Sequence, residues 1–285
     1  MKRQLESHIK ITLTNGKALE SDRLYSDRFS PQPVSETCTE MLATVNEILQ
    51  KFNSTQRDVK RLEFNFSATI EQRQTEEELF FYELLDKTES VFKNGSATHK
   101  KYPDENWNFA VCDTPIQHGK GLFFGLNWGG DYKNPQSAYP KKEKDRNWPF
   151  ISHSRNYFRT YFNAEIEDLN YSNLCFFRSP NMKHFVKSDW NLGIPLFSEY
   201  VHFVKPSWAL MLGSPPPALK QAIYLQDLKE IELRDTKSNK NVTGYTGTLF
   251  GKFPFGSVPH PQARISKEAR HAIWEKVTDQ MKIKK

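Results

Sequence analysis

The chain has 285 residues, of which 37% are hydrophobic and 26% charged, with a net charge of +6 and an isoelectric point near 9.0. This length suits one large domain, or one domain with an extension, that buries a full core without covalent staples. Three widely spaced cysteines argue against a disulfide framework, a structural zinc site or an iron–sulfur cluster, while the basic charge permits a polyanionic partner without requiring one.

The sequence also lacks the patterns of a secreted or membrane-spanning protein. Its first residues have no apolar core of the kind found in signal peptides. No run approaches the roughly 18 apolar residues that a membrane span needs. With a sparse, odd number of cysteines, these features predict an intracellular protein that does not associate with membranes.

Residues 1–105 are predicted to form a mostly helical N-terminal extension. Residues 1–33 are polar and predict a strand or arm followed by a loop. From Val34 onward, apolar residues recur at helical spacing, and alternating apolar residues at 62–66 predict a short strand. Thr75 precedes three glutamates, which favour the start of a second helix because acidic side chains stabilise a helix N-terminus.

Residues 106–285 alternate between strand-like and helix-like segments. Buried strands are predicted at Leu122–Leu126, within Tyr171–Pro180 and at Trp208–Gly213, and a closing helix over 266–282. Strands that alternate with helices are typical of a parallel sheet with crossover connections. The prediction is an α/β domain with a central parallel sheet and helices on both faces.

Polar residues follow the first of these strands. Ligands in open α/β sheets bind beyond the carboxyl ends of the strands, so Asn127 and Asp131 are candidates for chemistry. The glycines at 119 and 121 precede their strand, whereas a phosphate-binding loop follows one, so we do not predict a nucleotide loop there.

Four short motifs occur in a fixed order: Gly125-Leu-Asn-Trp-Gly-Gly-Asp131, Trp148-Pro-Phe150 before a helix, Asn173-Leu-Cys-Phe-Phe-Arg-Ser-Pro180, and His260-Pro-Gln-Ala-Arg264. Together they resemble the motifs of the uracil-DNA glycosylase superfamily, nearest to its Gly-x-Asn-Pro-Gly branches. The resemblance covers residues 110–275 in outline. Trp128 stands where that family has a proline, and Gln262 where it has a serine.

The resemblance implies roles for residues of all four motifs. Asn127 would hold the attacking water, Phe150 would stack on the flipped base, and Asn173 would read the pyrimidine edge. His260 would donate to the base oxygen, and Arg264 would fill the hole left in the helix.

Further residues complete the predicted site. Gly125 and Trp128 belong to the base-binding motif, and Gln262 occupies the position of a phosphate contact. Asp131, the carboxylate nearest to Asn127 in the chain, would supply a base or electrostatic help. A basic loop places lysines where they could follow DNA phosphates, namely Lys133, Lys141 and Lys142.

These residues suit the cleavage of an N-glycosidic bond. Extruding a base costs a few kcal/mol and needs a wedge. The negative charge on the departing base needs a donor such as a neutral imidazole. The predicted function is therefore a monofunctional, monomeric DNA glycosylase that removes uracil or a related base from single- or double-stranded DNA. It would leave an abasic site and use no metal or redox cofactor.

Other interpretations are compatible with the same residues. The fold could serve a non-catalytic nucleic-acid-binding protein, or an enzyme that hydrolyses free nucleosides or nucleotides. At the level of single residues, His260 could be an ordinary turn histidine, Arg264 a solvated side chain, and the lysine loop a solvated surface.

Overall fold

The computed structural model describes residues 2–13, 18–28, 50, 59–69, 75–103, 105, 107–129, 134–142, 149–179 and 183–281; only the backbone is described for 2–13, 18–28, 59–69 and 149–150. The chain divides into two compact units, Met1–Thr75 and Glu76–Lys285. The division lies earlier than the predicted boundary at residue 105, because the helix that follows Thr75 packs within the second unit.

The first unit contains a three-stranded antiparallel sheet. Its strands are β1 (Lys2–Leu13), β2 (Ala18–Arg28) and β3 (Val59–Thr69), in the order β2-β1-β3. The short strand predicted at 62–66 lies within β3 and is confirmed. The helix predicted from Val34 falls almost wholly outside the described residues. The described backbone of this unit is thus nearly all strand, where a mostly helical extension was predicted.

A six-stranded sheet organises the second unit, in the order β5-β4-β6-β9-β8-β7. Its strands are β4 (Leu122–Trp128), β5 (Asn170–Arg178), β6 (Ala209–Leu212), β7 (Leu225–Asp235), β8 (Lys240–Leu249) and β9 (Phe253–Val258). The first four strands in that order are parallel; the parallel arrangement of β4, β5 and β6 was predicted, whereas β9 was not predicted as a strand. The sheet as a whole is mixed, because the β7–β8 hairpin, which was not predicted, extends it antiparallel from β9.

The helices are α1 (Glu76–Gly95), α2 (Ala97–Lys101), α3 (Pro149–Phe162), α4 (Trp190–Val204) and α5 (Lys267–Gln280). Helix α1 starts directly after Thr75, and α5 closes the described chain, as predicted. The segment from Phe109 to Cys112 forms two antiparallel bridges to β5. No helix within the described ranges is long and apolar enough to cross a membrane.

Two consecutive phenylalanines in β4 show how the layers are arranged. Successive side chains in a strand point to opposite faces. Phe124 packs against Phe197 of α4, with ring centroids 4.7 Å apart, in the core shared with α1. Phe123 packs against Phe158 of α3 at 5.0 Å, in the core shared with α5. Helices therefore cover both faces of the sheet, which gives three layers.

Cys175 of β5 is fully buried, as expected of a small core residue. Gly193 of α4 lies directly against it, and a Cβ on Gly193 would come within 2.9 Å of the Cys175 Cα. Burial raises the pKa of the Cys175 thiol far above its ordinary value. A buried thiol of this kind contributes to core packing and does not act as a nucleophile.

Candidate active site

The carboxyl ends of the four parallel strands define one edge of the sheet. Asn127 lies next to the end of β4, Arg178 ends β5, and His260 follows β9 by two residues. Strand β6 lies between β4 and β9. With about 4.8 Å between neighbouring strands, β4 and β9 run about 10 Å apart. The topology thus brings the first and last sequence motifs to the same edge of the sheet. A separation of about 10 Å between β4 and β9 would leave room for a nucleobase contacted by one side chain from each motif.

Asn127 is fixed by hydrogen bonds across the end of the sheet. Its Nδ2 donates to Ser179 Oγ at 3.0 Å and to the Trp128 carbonyl at 3.2 Å. The Ser179 main-chain N–H donates in turn to the Trp128 carbonyl at 3.1 Å. An amide nitrogen has two protons, and both are engaged here, so Oδ1 is the atom of Asn127 that remains to accept a hydrogen bond from a ligand.

Trp128 turns into the core. Its side chain is only 6% exposed, and its indole N–H donates to the Ala110 carbonyl. The ring contacts Tyr171 at 5.3 Å, and the Arg178 guanidinium lies 5.7 Å from the ring centroid. Trp128 was predicted to contact the base. In the structure its side chain is buried and instead joins the end of β4 to the segment at Ala110.

Asn173 and Gly125 are partners across β4 and β5. A Cβ on Gly125 would lie 2.6 Å from Asn173 Oδ1, so only glycine leaves room for this amide. Asn173 is 2% exposed, and its Nδ2 has no hydrogen-bond partner among the described residues. A buried polar group without a partner is rare and costly, and it is typical of a group that awaits a ligand or an ordered water.

Helix α3 begins at this same edge. Its last residue, Phe162, packs against Trp208 at 4.1 Å, and Trp208 immediately precedes β6 at the opposite edge. The first turn, which carries Phe150, therefore lies at the carboxyl end of the strands, and the following Ile151 is buried with Phe123 and Trp128 in one core cluster. The Phe150 side chain itself lies outside the described part.

His260 stands on a tight turn after β9. The Ala263 N–H donates to the His260 carbonyl at 2.8 Å, and the Gln262 N–H donates to His260 Nδ1 at 3.2 Å. A ring nitrogen that accepts carries no proton, so the neutral ring has its proton on Nε2. His260 is exposed as a residue, but partial burial of its ring, and secondly the positive charge of Arg270, lower the pKa of His260 below 6.5. The imidazole is therefore neutral near pH 7.

Arg270 holds this turn from the first part of α5. One guanidinium nitrogen donates to the His260 carbonyl at 2.9 Å, and another donates to the Ala263 carbonyl at 2.6 Å. Sequence analysis did not assign Arg270 a role. Its position ten residues after His260, just inside a helix, gives no sign that the side chain folds back onto the turn.

The remaining predicted site residues are more exposed or lie outside the described part. Gln262 and Arg264 are exposed, and the Arg264 side chain makes no hydrogen bond or ion pair with any described residue. Lys141 is exposed, and Lys142 forms an exposed ion pair with Asp168 at 2.5 Å. Asp131 and Lys133 are outside the described residues, so their roles stay predictions from sequence.

A small pocket lies beside the predicted site. Phe123 and Tyr171 stack in parallel at 4.6 Å, and they line the pocket with Lys141, Lys142 and Ile151. No cluster of three potential metal ligands occurs within the described ranges. No protein-family model matches the chain, and no curated protein matches it.

Proposed function

We propose that the protein is a DNA glycosylase that hydrolyses the N-glycosidic bond of uracil or a related base flipped out of DNA. The observation that carries the proposal is the buried amide of Asn173, whose Nδ2 has no hydrogen-bond partner among the described residues. Asn173 pairs with Gly125 within the sheet, two register positions before the level of Asn127. An amide can donate to a pyrimidine carbonyl and accept from a ring N–H, so Asn173 suits recognition of a base edge.

Asn127 fits the orientation of a water molecule. With both Nδ2 protons engaged, its Oδ1 accepts a hydrogen bond from water and directs a water lone pair towards the sugar. An amide is no base at neutral pH, but a loose, cation-like transition state needs positioning more than deprotonation. Asp131, assigned from sequence, would add electrostatic stabilisation of the sugar cation.

His260 fits the stabilisation of the departing base. Its ring is neutral and carries its proton on Nε2, so it can donate a hydrogen bond to the base without first changing its protonation state. Removing a preorganised donor of this kind costs enzymes about 10²–10³-fold in kcat. Phe150 would stack on the base, Arg264 would act as the wedge in the duplex, and Lys141 and Lys142 would contact phosphates.

The test is incubation of the protein with oligonucleotides that contain uracil or other deaminated and modified bases, followed by alkali treatment. Alkali-labile sites are expected at one class of base, and Asn127→Ala should reduce their formation by at least 100-fold. Asn191→Ala is the matched control, because Asn191 is an exposed amide on α4. Absence of cleavage at every base tested would reject the proposal. Turnover of free nucleosides, with DNA left intact, would reassign the site to small substrates.

A second function, non-catalytic binding of nucleic acid, is favoured by one observation. Trp128 replaces the proline of the resembled motif, and its ring is committed to the core at Ala110. This alternative predicts salt-dependent DNA binding without abasic product. Asn127→Ala would leave that binding unchanged, so the same variant separates the two functions.

A further inference from the structure

The candidate active site contains a cation whose position is unusual for its charge. Arg270 is half-buried in the first part of α5, where the helix dipole disfavours positive side chains. No carboxylate among the described residues pairs with it. Burial lowers the pKa of Arg270, which reflects the cost of removing a cation from water. Because burial of this cation is costly, we expect Arg270 to have a role that a neutral side chain could not fill.

The two carbonyls that Arg270 binds are the two ends of the His260 turn. The His260 carbonyl also accepts the Ala263 N–H, and the Ala263 carbonyl also accepts the Ile265 N–H at 3.0 Å. The planar guanidinium therefore donates to both carbonyl oxygens at once from two of its nitrogens. A lysine ammonium lacks this fixed planar pair of donors, so arginine and lysine are least interchangeable at a site of this kind.

We propose that Arg270 is a positioning residue: its guanidinium clamps the turn at His260 and Ala263, so that the imidazole is presented to the sheet edge in its neutral Nε2–H form. The clamp acts in two ways. The fork fixes the main chain from which the ring projects, and it thereby preserves the bond from the Gln262 N–H to Nδ1. The positive charge disfavours a second positive charge on the ring.

Other charged and titratable groups around the turn are accounted for. Arg264 and Lys267 are exposed on the same turn and at the start of α5. Asp235 accepts the Ser266 N–H at 2.8 Å from the β7–β8 side. Tyr157 of α3 interacts with Arg270, and burial raises its pKa, so it stays neutral. Arg270 is thus the nearby cation whose charge acts on His260.

The experiment compares three variants by NMR. Arg270→Gln removes the charge and the fork, Arg270→Lys keeps the charge but loses the fork, and Lys276→Gln removes an exposed charge elsewhere on α5. The His260 ring, assigned among the eight histidines with His260→Gln, is titrated in each. The pKa of His260 should rise towards 6.5 in Arg270→Gln, should rise less in Arg270→Lys, which keeps the charge but loses the fork, and should stay at its wild-type value in Lys276→Gln.

A second readout tests the fork directly. Amide exchange at Ala263 should be faster in both Arg270 variants than in Lys276→Gln, because one ammonium cannot hold both carbonyls. The idea is overturned if Arg270→Gln leaves both the His260 titration and the Ala263 exchange as in the wild type. Since neither measurement uses a substrate, absence of glycosylase activity would reject the proposed function and leave the clamp to be judged separately.

The kinetic consequence rests on the proposed function. If the protein is a glycosylase, both Arg270 variants should lower kcat by about 10- to 100-fold, as small misplacements of catalytic groups do, with a smaller change in KM. Wild-type kcat in Arg270→Lys would show that the fork does not position the imidazole.

Discussion

The two halves of the candidate active site are built in opposite ways. In the middle of β5, beside Gly125 of β4, Asn173 is buried within the sheet, and its amide nitrogen has no partner among the described residues. At the end of β9, His260 is exposed on a turn whose polar groups are satisfied by Gln262, Ala263 and Arg270. One half holds a buried amide whose nitrogen is unsatisfied among the described residues, whereas the other fixes an accessible group by hydrogen bonds to the main chain.

This difference indicates how the two halves would share the work. Burial would strengthen any hydrogen bonds between Asn173 and a bound base and would penalise a base that cannot make them, so the β4–β5 half is suited to recognition. The His260 turn keeps water access and a defined protonation state, which suits a donor to a charge that develops during reaction. The unsatisfied amide of the β4–β5 half should therefore lower the free energy of unfolding, whereas the hydrogen-bonded His260 turn should not.

The strongest test compares two buried asparagines of β5. Asn170 makes three hydrogen bonds, donating to the Gln117 and Gly121 carbonyls and accepting the Gln117 N–H. Asn170→Leu should lower the free energy of unfolding by about 3 kcal/mol, because buried groups lose their partners. Asn173→Leu should change it by less than about 1 kcal/mol, yet reduce glycosylase activity by about 100-fold or more.

Urea unfolding and the oligonucleotide assay measure these two effects. An equal loss of stability in both variants would mean that the Asn173 amide is already satisfied in the folded protein. The contrast between the two halves would then disappear.

The second test crowds the amide instead of removing it. In Gly125→Ala, the new methyl group would meet Asn173 Oδ1 at 2.6 Å, so the amide must move, at a cost of about 1–3 kcal/mol. Activity should fall with it. Gly129→Ala, two residues beyond Asn127, places its methyl in open space and should change stability by less than about 0.5 kcal/mol. Matching thermal unfolding curves for the two variants would contradict the close approach seen here.

These contrasts mark what the sequence could predict. Apolar runs of strand length identified β4, β5 and β6. In the structure β4 and β5 are neighbours, so Asn127 and Asn173 lie two register positions apart. The β7–β8 hairpin left a visible signal as well, since Ile231 and Leu233 alternate with charged neighbours.

Other features depend on distant contacts that no local pattern reports. Ser179 reaches Asn127 from 52 positions away, through the register of two strands. Arg270 reaches back to His260 only because the helix that follows the turn is anchored on the sheet, where Gly256 and Gly244 admit Val277 of α5. Such contacts follow from tertiary packing, so a motif can suggest that a residue matters without showing what holds it in place.

The third test addresses the protonation of His260. Because its pKa in the folded protein lies below 6.5, glycosylase activity should be constant above pH 6.5 and fall only as the pH drops through the lower value. Stability should follow the same direction: the unfolded ring takes up its proton first, so the folded state loses stability as the pH falls below 6.5. His260→Gln should remove this dependence. Activity that rises as the pH is lowered would require a charged imidazole instead.

The smallest structural effect is expected at Arg264, on the same turn as His260. Its side chain is exposed and bonds to no described residue, so Arg264→Ala should change the free energy of unfolding by less than about 0.5 kcal/mol. If Arg264 fills the hole left by an extruded base, the variant should lose activity on double-stranded DNA but keep it on single strands, where no stack needs a wedge. An equal loss on both substrates would assign Arg264 to phosphate binding. If Arg264 only binds phosphate, extrusion of the base from the duplex would depend on the buried β4–β5 half alone, through the affinity of Asn173 for the base.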